Sequence, residues 1–185
     1  MAIIYLDIET TGLDYIRNRI ITIQLKENYQ QIEIFKIWES DEKSILENFV
    51  NRLTGIQSNE KFTICVGFNI MRFDIPFLIS RCNHFGIKTP NELIQIFYRN
   101  LAHCDLLQIF LPFNNWKYKG LTWDYVLDQY GYQTKAGSGE QIPIWYKEGK
   151  YDKIISYIES EFPPMEDIYW KLRKSNFHKS MDEGG

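Results

Sequence analysis

Residues 1–13 read MAIIYLDIETTGL, and this stretch decides the fold. An apolar run carries two carboxylates, Asp7 and Glu9, and then breaks at Thr10-Thr11-Gly12. Side chains two positions apart share one face of a strand, so the two carboxylates are expected side by side at a strand end. Adjacent carboxylates repel each other, and a divalent cation that prefers oxygen ligands, Mg²⁺ or Mn²⁺, relieves that repulsion. The stretch therefore predicts a buried strand that ends in a metal site.

The composition is that of one domain with a mild charge. Of the 185 residues, 44% are hydrophobic, which is enough for one sizeable core. The formal net charge of −3 argues against a generally basic nucleic-acid-binding surface but leaves a local basic groove open. Three cysteines without a CxxC motif indicate neither a disulfide framework nor a zinc site. Without a leader-like start or an apolar run of membrane-spanning length, we expect an intracellular, cytoplasmic and soluble protein.

The order of predicted elements indicates an α/β fold. Alternating or continuous apolar runs predict strands, and apolar residues three and four apart predict helices. Strands come first and helices follow, which favours a mixed sheet flanked by helices: an antiparallel meander at the edge and a later strand parallel to the first. The predicted strands cover 2–8, 19–26, 30–37 and 62–67, and the predicted helices cover 41–54, 74–85, 121–130 and 151–162.

The end of the chain contains one strong helix breaker. Pro163-Pro164 is expected to end the helix over 151–162, because proline lacks the amide and clashes with the preceding turn. A new helix is expected to begin there and to run to about residue 174. We expect one domain over residues 1–175 and a flexible tail over 176–185.

A second acidic element reads GFNIMRFD over residues 67–74. A strand ends, a polar turn follows, and Asp74 opens a helix. Taken alone, an acid at this position caps the helix or favours its first turn. At the same end of the sheet as Asp7 and Glu9, it is also a candidate for the metal site.

A third element contains Tyr157 and Glu161, which share a helix face because they are four residues apart. With this pair, the chain resembles the DEDD superfamily of 3′–5′ exonucleases, which have a ribonuclease H-like fold, and most of all the proofreading domains of family B DNA polymerases. The family's Asp-x-Glu-Thr motif is matched by Asp7-Ile8-Glu9-Thr10, and its Asn-x-x-x-Phe-Asp motif by Asn69 to Asp74. Its Tyr-x-x-x-Asp motif is matched at Tyr157, with Glu161 in place of the aspartate. The order and spacing agree over about residues 2–175.

The resemblance implies hydrolysis with two divalent cations, Mg²⁺ or Mn²⁺, about 3.5–4 Å apart. Asp7 would bridge both ions, Glu9 and Glu161 would complete one site, and Asp74 would hold the other ion directly or through water. Tyr157 would orient the attacking water. The resemblance also implies substrate contacts from Thr10, Thr11 and Leu13 at the terminal nucleotide, and from Asn69 and Phe73 at the penultimate one.

Glu161 departs from the family pattern. Its side chain is one methylene longer than that of aspartate, whereas Mg²⁺ requires near-ideal octahedral geometry. The residue could bind through a different rotamer, favour Mn²⁺, or leave the site weak. Asp167 is the alternative fourth ligand, although it lies beyond Pro163-Pro164 and outside the motif's spacing.

Three other segments carry candidate residues. Lys135, in a small polar loop over 133–143, is a candidate phosphate contact. Asp105 is either a helix cap at a strand end or a residue close to the metals. Lys117 and Lys119 alternate with Trp116 and Tyr118, which suits contact with a single strand but equally suits a solvated loop anchored by two rings.

These observations predict a metal-dependent 3′–5′ exonuclease acting on the 3′ ends of single-stranded DNA, with RNA also open. The chain is too short to contain a polymerase, so it is expected to be either free-standing or a subunit that trims ends for a separate machine. In the second case, its protein partner belongs to replication or repair. No membrane association is expected. A catalytically weakened module that binds nucleic acid or a protein partner is the alternative, favoured by Glu161. A structure-selective endonuclease is a third hypothesis, which Tyr157 disfavours. The sequence leaves the oligomeric state open.

Overall fold

One mixed sheet organises the part of the chain that the computed structural model describes, residues 1–132 and 139–182, with side chains through residue 174. Within these residues, five strands in the order β3-β2-β1-β4-β5 are flanked by seven α-helices. The strands are β1 (Ala2–Thr10), β2 (Ile20–Glu27), β3 (Glu33–Lys36), β4 (Thr63–Gly67) and β5 (Ala102–Asp105). The helices are α1 (Glu42–Asn59), α2 (Asp74–His84), α3 (Pro90–Ile94), α4 (Leu106–Phe110), α5 (Trp123–Gln129), α6 (Ile142–Lys147) and α7 (Tyr151–Asp182).

The pairing of the strands brings three strand ends to one edge of the sheet. β1 is antiparallel to β2, which is antiparallel to β3, whereas β1, β4 and β5 are mutually parallel. The carboxyl ends of parallel strands lie at the same edge. Gly67 and Asp105 pair with each other where β4 and β5 end, and β1 continues past its last pair with β4, Tyr5 with Val66, to Thr10. The predicted meander and the predicted parallel strand are both confirmed.

Helix α1 forms where its apolar spacing predicts. Asp41 caps it by accepting a hydrogen bond from the Ser44 amide at 2.8 Å, and one face buries Phe49 and Leu53 against the sheet. The helix runs to Asn59, beyond the predicted end at residue 54, because Ile56 continues the buried face.

A buried ion pair connects α1 to α2. The carboxylate of Glu42 accepts two hydrogen bonds from the Arg81 guanidinium, each 2.7 Å long, and a third from the Ile20 amide at 2.8 Å. Glu42 and Arg81 are each only 7% exposed. The pair therefore fixes both helices to the start of β2 at the edge where the strands end.

The prediction that Pro163-Pro164 ends a helix was wrong, because α7 continues through both prolines. Each proline removes one amide donor from the helix. The apolar face nevertheless stays in register across them, with Phe162, Met165 and Ile168 all buried. Burial of this continuous face therefore outweighs the missing hydrogen bonds. The predicted boundary between a domain over 1–175 and a tail over 176–185 stays a prediction.

Gly67 lies at a close approach between β4 and the turn that follows it. A Cβ at this position would be 2.3 Å from Ile70 Cγ2 and 2.6 Å from the Leu6 carbonyl oxygen. The backbone oxygen cannot move away cheaply, so Gly67→Ala is expected to lower the free energy of unfolding by about 1–3 kcal/mol, measured by urea denaturation. Gly55→Ala is the matched control in α1, where a Cβ meets nothing within 4 Å, and it should raise that free energy by about 0.5–1 kcal/mol. Equal effects of the two substitutions would contradict the steric argument.

The other predicted elements agree with the structure apart from their ends. Helix α5 is shorter than the predicted 121–130, since Thr122 caps it by accepting from the Tyr125 amide. Of the predicted loop over 133–143, residues 133–138 lie outside the described residues, and α6 begins within the remainder at Ile142. Among the described helices, none combines the length and apolarity that a bilayer crossing requires.

Candidate active site

Three carboxylates from two remote segments converge at the edge where the parallel strands end. Asp7 and Glu9 project from the same face of β1, and Glu161 projects from α7. One ligand oxygen from each of the three lies within 4.8 Å of the others. Glu9 and Glu161 are buried and Asp7 is half-buried, so the cluster is largely removed from water.

Helix α7 is held against the sheet on both sides of Glu161. Its buried face includes Ile158 and Phe162, which flank the carboxylate in sequence. One turn further along, Glu166 forms an ion pair with Lys26 of β2, and the Tyr169 ring meets Tyr5 of β1 edge-on at 6.0 Å. These contacts fix the position of α7 on the sheet and therefore the position of the Glu161 carboxylate relative to β1.

Tyr157 lies beside the three carboxylates. Burial raises the pKa of its phenol, and the negative charges of Glu161 and Glu9, a hydrogen bond to Glu161 and the charge of Asp7 raise it further. The Trp145 ring of α6 packs edge-on against Tyr157 at 6.4 Å. The Tyr157 and Glu161 side chains are hydrogen-bonded directly to each other. The phenol therefore keeps its proton at neutral pH.

Asp74 is anchored beside this cluster but does not belong to the group of three. Its Oδ1 accepts a hydrogen bond from the amide of Ile8, the residue between Asp7 and Glu9, at 3.0 Å. Asp74 is 2% exposed, and this burial is the main reason why its pKa rises to about 7. The charges of Asp105 and Glu161 raise the pKa further, whereas hydrogen bonds from its own amide and that of Ile8 lower it.

The raised pKa of Asp74 predicts a pH dependence of stability in the metal-free chain. Between its ordinary pKa of 3.8 and about 7, the native carboxyl holds a proton that the unfolded chain has lost. The free energy of unfolding therefore falls as pH rises through this interval. Urea titrations in EDTA at several pH values measure the slope, and Asp74→Asn should flatten it. The same slope in the variant would contradict the prediction.

Asp105 holds the turn between β4 and α2. Its carboxylate accepts hydrogen bonds from the amides of Asn69 at 2.8 Å, Met71 at 3.0 Å and Leu107 at 3.0 Å. The helix-cap interpretation is thus confirmed, and Asp105 also fixes the turn that leads into Asp74. Asn69 adopts a left-handed backbone with φ 64°, and its buried Oδ1 has no hydrogen-bond partner within the described residues.

The predicted substrate-contact residues surround this edge. Thr10 donates its hydroxyl to the Gly12 carbonyl at 2.8 Å, and Thr11 accepts from the Arg19 amide at 3.1 Å, which closes the base of a loop. Leu13 lies in that loop and is 83% exposed. Phe73 immediately precedes α2 and packs against Phe77 at 5.6 Å. Lys135 lies outside the described residues.

The donor set fits a divalent cation. All three groups are carboxylates, the hard oxygen ligands that Mg²⁺ and Mn²⁺ prefer. Two opposite ligands of one Mg²⁺ are ~4.2 Å apart, twice the ~2.1 Å bond length. The 4.8 Å span of Asp7, Glu9 and Glu161 therefore needs only a small side-chain adjustment. Asp167, the alternative to Glu161, bonds instead to Tyr132 and to Lys171, the latter at 2.7 Å.

Comparison with known proteins identifies the family of the chain. A sequence model of the RNase H superfamily matches residues 4–164. The chain belongs to the RNase H superfamily. This membership, with the mixed five-stranded sheet, confirms the predicted RNase H-like fold.

Three proteins similar to this RNase H superfamily member share low sequence identity with it or match only part of it. DNA polymerase 2 of Aeropyrum pernix is 31% identical over 72 residues, which cover 39% of this chain and 8% of that protein. The family B DNA polymerase of Pyrobaculum calidifontis superimposes with a TM-score of 0.72 at 18% identity, over 93% of this chain and 24% of that chain. Exonuclease I of E. coli, in complex with an oligonucleotide, has a TM-score of 0.51 at 13% identity, over 72% of this chain and 36% of that chain. The chain thus spans well under half the length of these relatives.

Proposed function

We propose that the chain is a metal-dependent 3′–5′ exonuclease that removes nucleotides from single-stranded DNA, with RNA as a second substrate. The observation that carries the proposal is the convergence of the carboxylates of Asp7, Glu9 and Glu161 within 4.8 Å, with Asp74 anchored beside them. Three carboxylates in a largely buried space suit divalent cations and the chemistry of phosphate esters.

In the proposed mechanism, Asp7, Glu9 and Glu161 would hold two Mg²⁺ or Mn²⁺ ions, with Asp74 as a further ligand directly or through water. Bound divalent cations supply a water of lowered pKa and stabilise the negative charge that develops on the phosphate oxygens. Tyr157 keeps its proton at neutral pH because of the raised pKa of its phenol, and it bonds to Glu161. The phenol oxygen can still accept one hydrogen bond, and through it Tyr157 is proposed to orient the attacking water.

The substrate end is proposed to lie across the two turns at this edge. Leu13 is exposed and available to pack on the terminal base, close to the backbone of Thr10 and Thr11. Asn69, whose side-chain oxygen lacks a partner within the described residues, remains a proposed polar contact to the penultimate nucleotide. Phe73 offers an aromatic surface in the same turn. Lys135 remains a proposed phosphate contact.

The alternative of a weakened module loses its main support. It depended on Glu161 failing to replace aspartate, and the glutamate carboxylate reaches the cluster. A protein partner in replication or repair stays a proposal, in keeping with relatives that are DNA polymerases several times longer than this chain.

The direct test is an end-labelled assay. A 5′-labelled single-stranded DNA oligonucleotide incubated with the protein and Mn²⁺ or Mg²⁺ should give a ladder that shortens from the 3′ end. EDTA should stop it, and a 3′-phosphate should slow it. Intact oligonucleotide with both metals would favour the binding-module alternative, and internal cuts in a 3′-blocked strand would favour an endonuclease. A crystal soaked with Mn²⁺ and a nucleoside monophosphate would then identify the ligands.

A further inference from the structure

The turn that leads into Asp74 is packed against a second exposed segment. The guanidinium of Arg72 lies 4.0 Å from the centre of the Tyr118 ring, a close cation–π contact. The same turn packs through Phe68 against Trp123, with ring centres 5.2 Å apart. Residues 116–119 therefore lie directly beside the place where the penultimate nucleotide is proposed to bind.

This segment alternates aromatic and cationic side chains. Trp116 is 71% exposed and Tyr118 is 44% exposed, and Lys117 and Lys119 are both exposed. Within the described part of the chain, neither lysine nor Arg72 forms an ion pair. Together Arg72, Trp116, Lys117, Tyr118 and Lys119 are called here the aromatic–cationic strip.

The strip has a defined backbone although its side chains are exposed. The Asn114 side chain donates to the carbonyls of Lys117 and Lys119, the latter at 3.3 Å. The Trp116 amide donates to the Leu111 carbonyl at 2.9 Å, and a left-handed turn at Asn115 and Trp116 sets the direction of the segment. A ligand can therefore bind the exposed rings without first ordering this loop.

We infer that the strip binds the single strand upstream of the cleaved nucleotide, an inference that rests on the proposed function for the direction of the strand. A single-stranded nucleic acid presents a base and a phosphate in every unit, and rings interleaved with cations match both. Stacking on Trp116 would hold a base, and Lys117, Lys119 and Arg72 would neutralise phosphates. A protein partner would call for a continuous apolar patch, which Arg72, Lys117 and Lys119 interrupt.

Binding in EDTA tests the strip without any cleavage. The probe is a fluorescein-labelled dT12, and its affinity is measured by anisotropy for the wild type and for the double variant Trp116→Ala/Lys117→Ala. The variant is expected to bind about tenfold more weakly, because one stacked base and one phosphate contact are lost. The slope of log K against log salt should fall by about 0.7 for the single phosphate contact removed.

The matched control is Lys61→Ala/Phe62→Ala. It also removes one exposed lysine and one exposed aromatic ring, but just before β4, at the opposite end of the sheet. The control should bind dT12 as the wild type does. Lys117→Glu/Lys119→Glu, a change of exposed side chains alone, provides a second variant and should weaken binding further.

The outcomes separate this inference from the proposed function. Two results would contradict the inference that the strip binds single-stranded DNA. One is equal affinity of the strip variants and the control for dT12, and the other is no binding of dT12 by the wild type. If dT12 stays intact with Mn²⁺ while the strip variants bind it more weakly, the strip stands and the exonuclease proposal fails. If dT12 is degraded from its 3′ end while all variants bind alike, the exonuclease proposal stands and the strip fails.

Discussion

Replacing Asp7 by alanine is expected to abolish metal-dependent strand cleavage, with a loss of about 10³-fold or more. Asp7 is the least buried member of a cluster in which three carboxylate oxygens lie within 4.8 Å of one another. The stabilisation by bound metal amounts to several kcal/mol in the transition state, and each ~1.4 kcal/mol corresponds to a factor of ten. The rate of nucleotide release from an end-labelled strand in Mn²⁺ measures the effect.

Stability measurements distinguish lost metal binding from damage to the fold. Without metal, Asp7→Ala should be at least as stable as the wild type, because one of three mutually repelling carboxylates is removed. With Mn²⁺, the wild type should gain melting temperature by mass action, and the variant should gain little. Asp152→Ala, an exposed aspartate in the first turn of α7, is the control and should leave activity unchanged. An Asp7→Ala protein that folds, binds Mn²⁺ and still degrades the strand would remove Asp7 from the mechanism.

Glu161 is the position that departs from the family pattern, and the activities of Glu161→Asp and Glu161→Ala together test whether it binds metal. The aspartate would restore the resemblance and shorten the side chain by one methylene, so activity is expected to be kept or raised. Glu161→Ala should instead reduce it strongly, because the third carboxylate of the cluster is lost. Full activity of the alanine variant would show that Glu161 is not a ligand.

Patterns within short segments predicted most of the fold. The period of two in β1 placed Asp7 and Glu9 on one face, and the apolar spacing after Asp41 predicted a capped helix; both features are present. The prediction of a helix break at Pro163-Pro164 was wrong because the rule that proline ends a helix considers only the backbone of α7. The buried face from Ile158 to Ile168 was visible in the sequence, but its burial against the sheet was not.

The parts of the site that could not be predicted depend on contacts between distant segments. Asp105 was recognisable as a helix cap, but its bonds to the amides of Asn69 and Met71, more than 30 positions away, depend on β4 and β5 being neighbours. The bond from the Ile8 amide to Asp74 likewise requires the completed sheet. Sequence motifs predicted four acids at one site, and the structure brings three of them, Asp7, Glu9 and Glu161, within 4.8 Å of one another. The hydrogen bonds that orient Asp74 and the turn before it follow from the strand order.

Breaking the Glu42–Arg81 pair is expected to give the largest loss of stability, about 3–5 kcal/mol in the free energy of unfolding. The Glu42 carboxylate is 7% exposed and accepts two hydrogen bonds from Arg81 and one from the Ile20 amide. Among these donors, Arg81→Ala would leave only the Ile20 amide, so the charge would stay buried without its ion-pair partner. Urea denaturation at neutral pH measures the change. Glu39→Gln, which removes the exposed Lys36–Glu39 pair, is the control and should change stability by about 0–1 kcal/mol.

A double substitution tests whether the charge or the packing is responsible. Glu42→Leu/Arg81→Met replaces the pair by apolar side chains of similar volume, so neither charge remains buried alone. Most of the stability lost in Arg81→Ala should return, apart from the loss of an acceptor for the Ile20 amide. Because α1 and α2 stay packed, strand cleavage should survive as well. If the double variant were as unstable as Arg81→Ala, the pair would be required for its hydrogen bonds to β2 rather than for the mutual neutralisation of two buried charges.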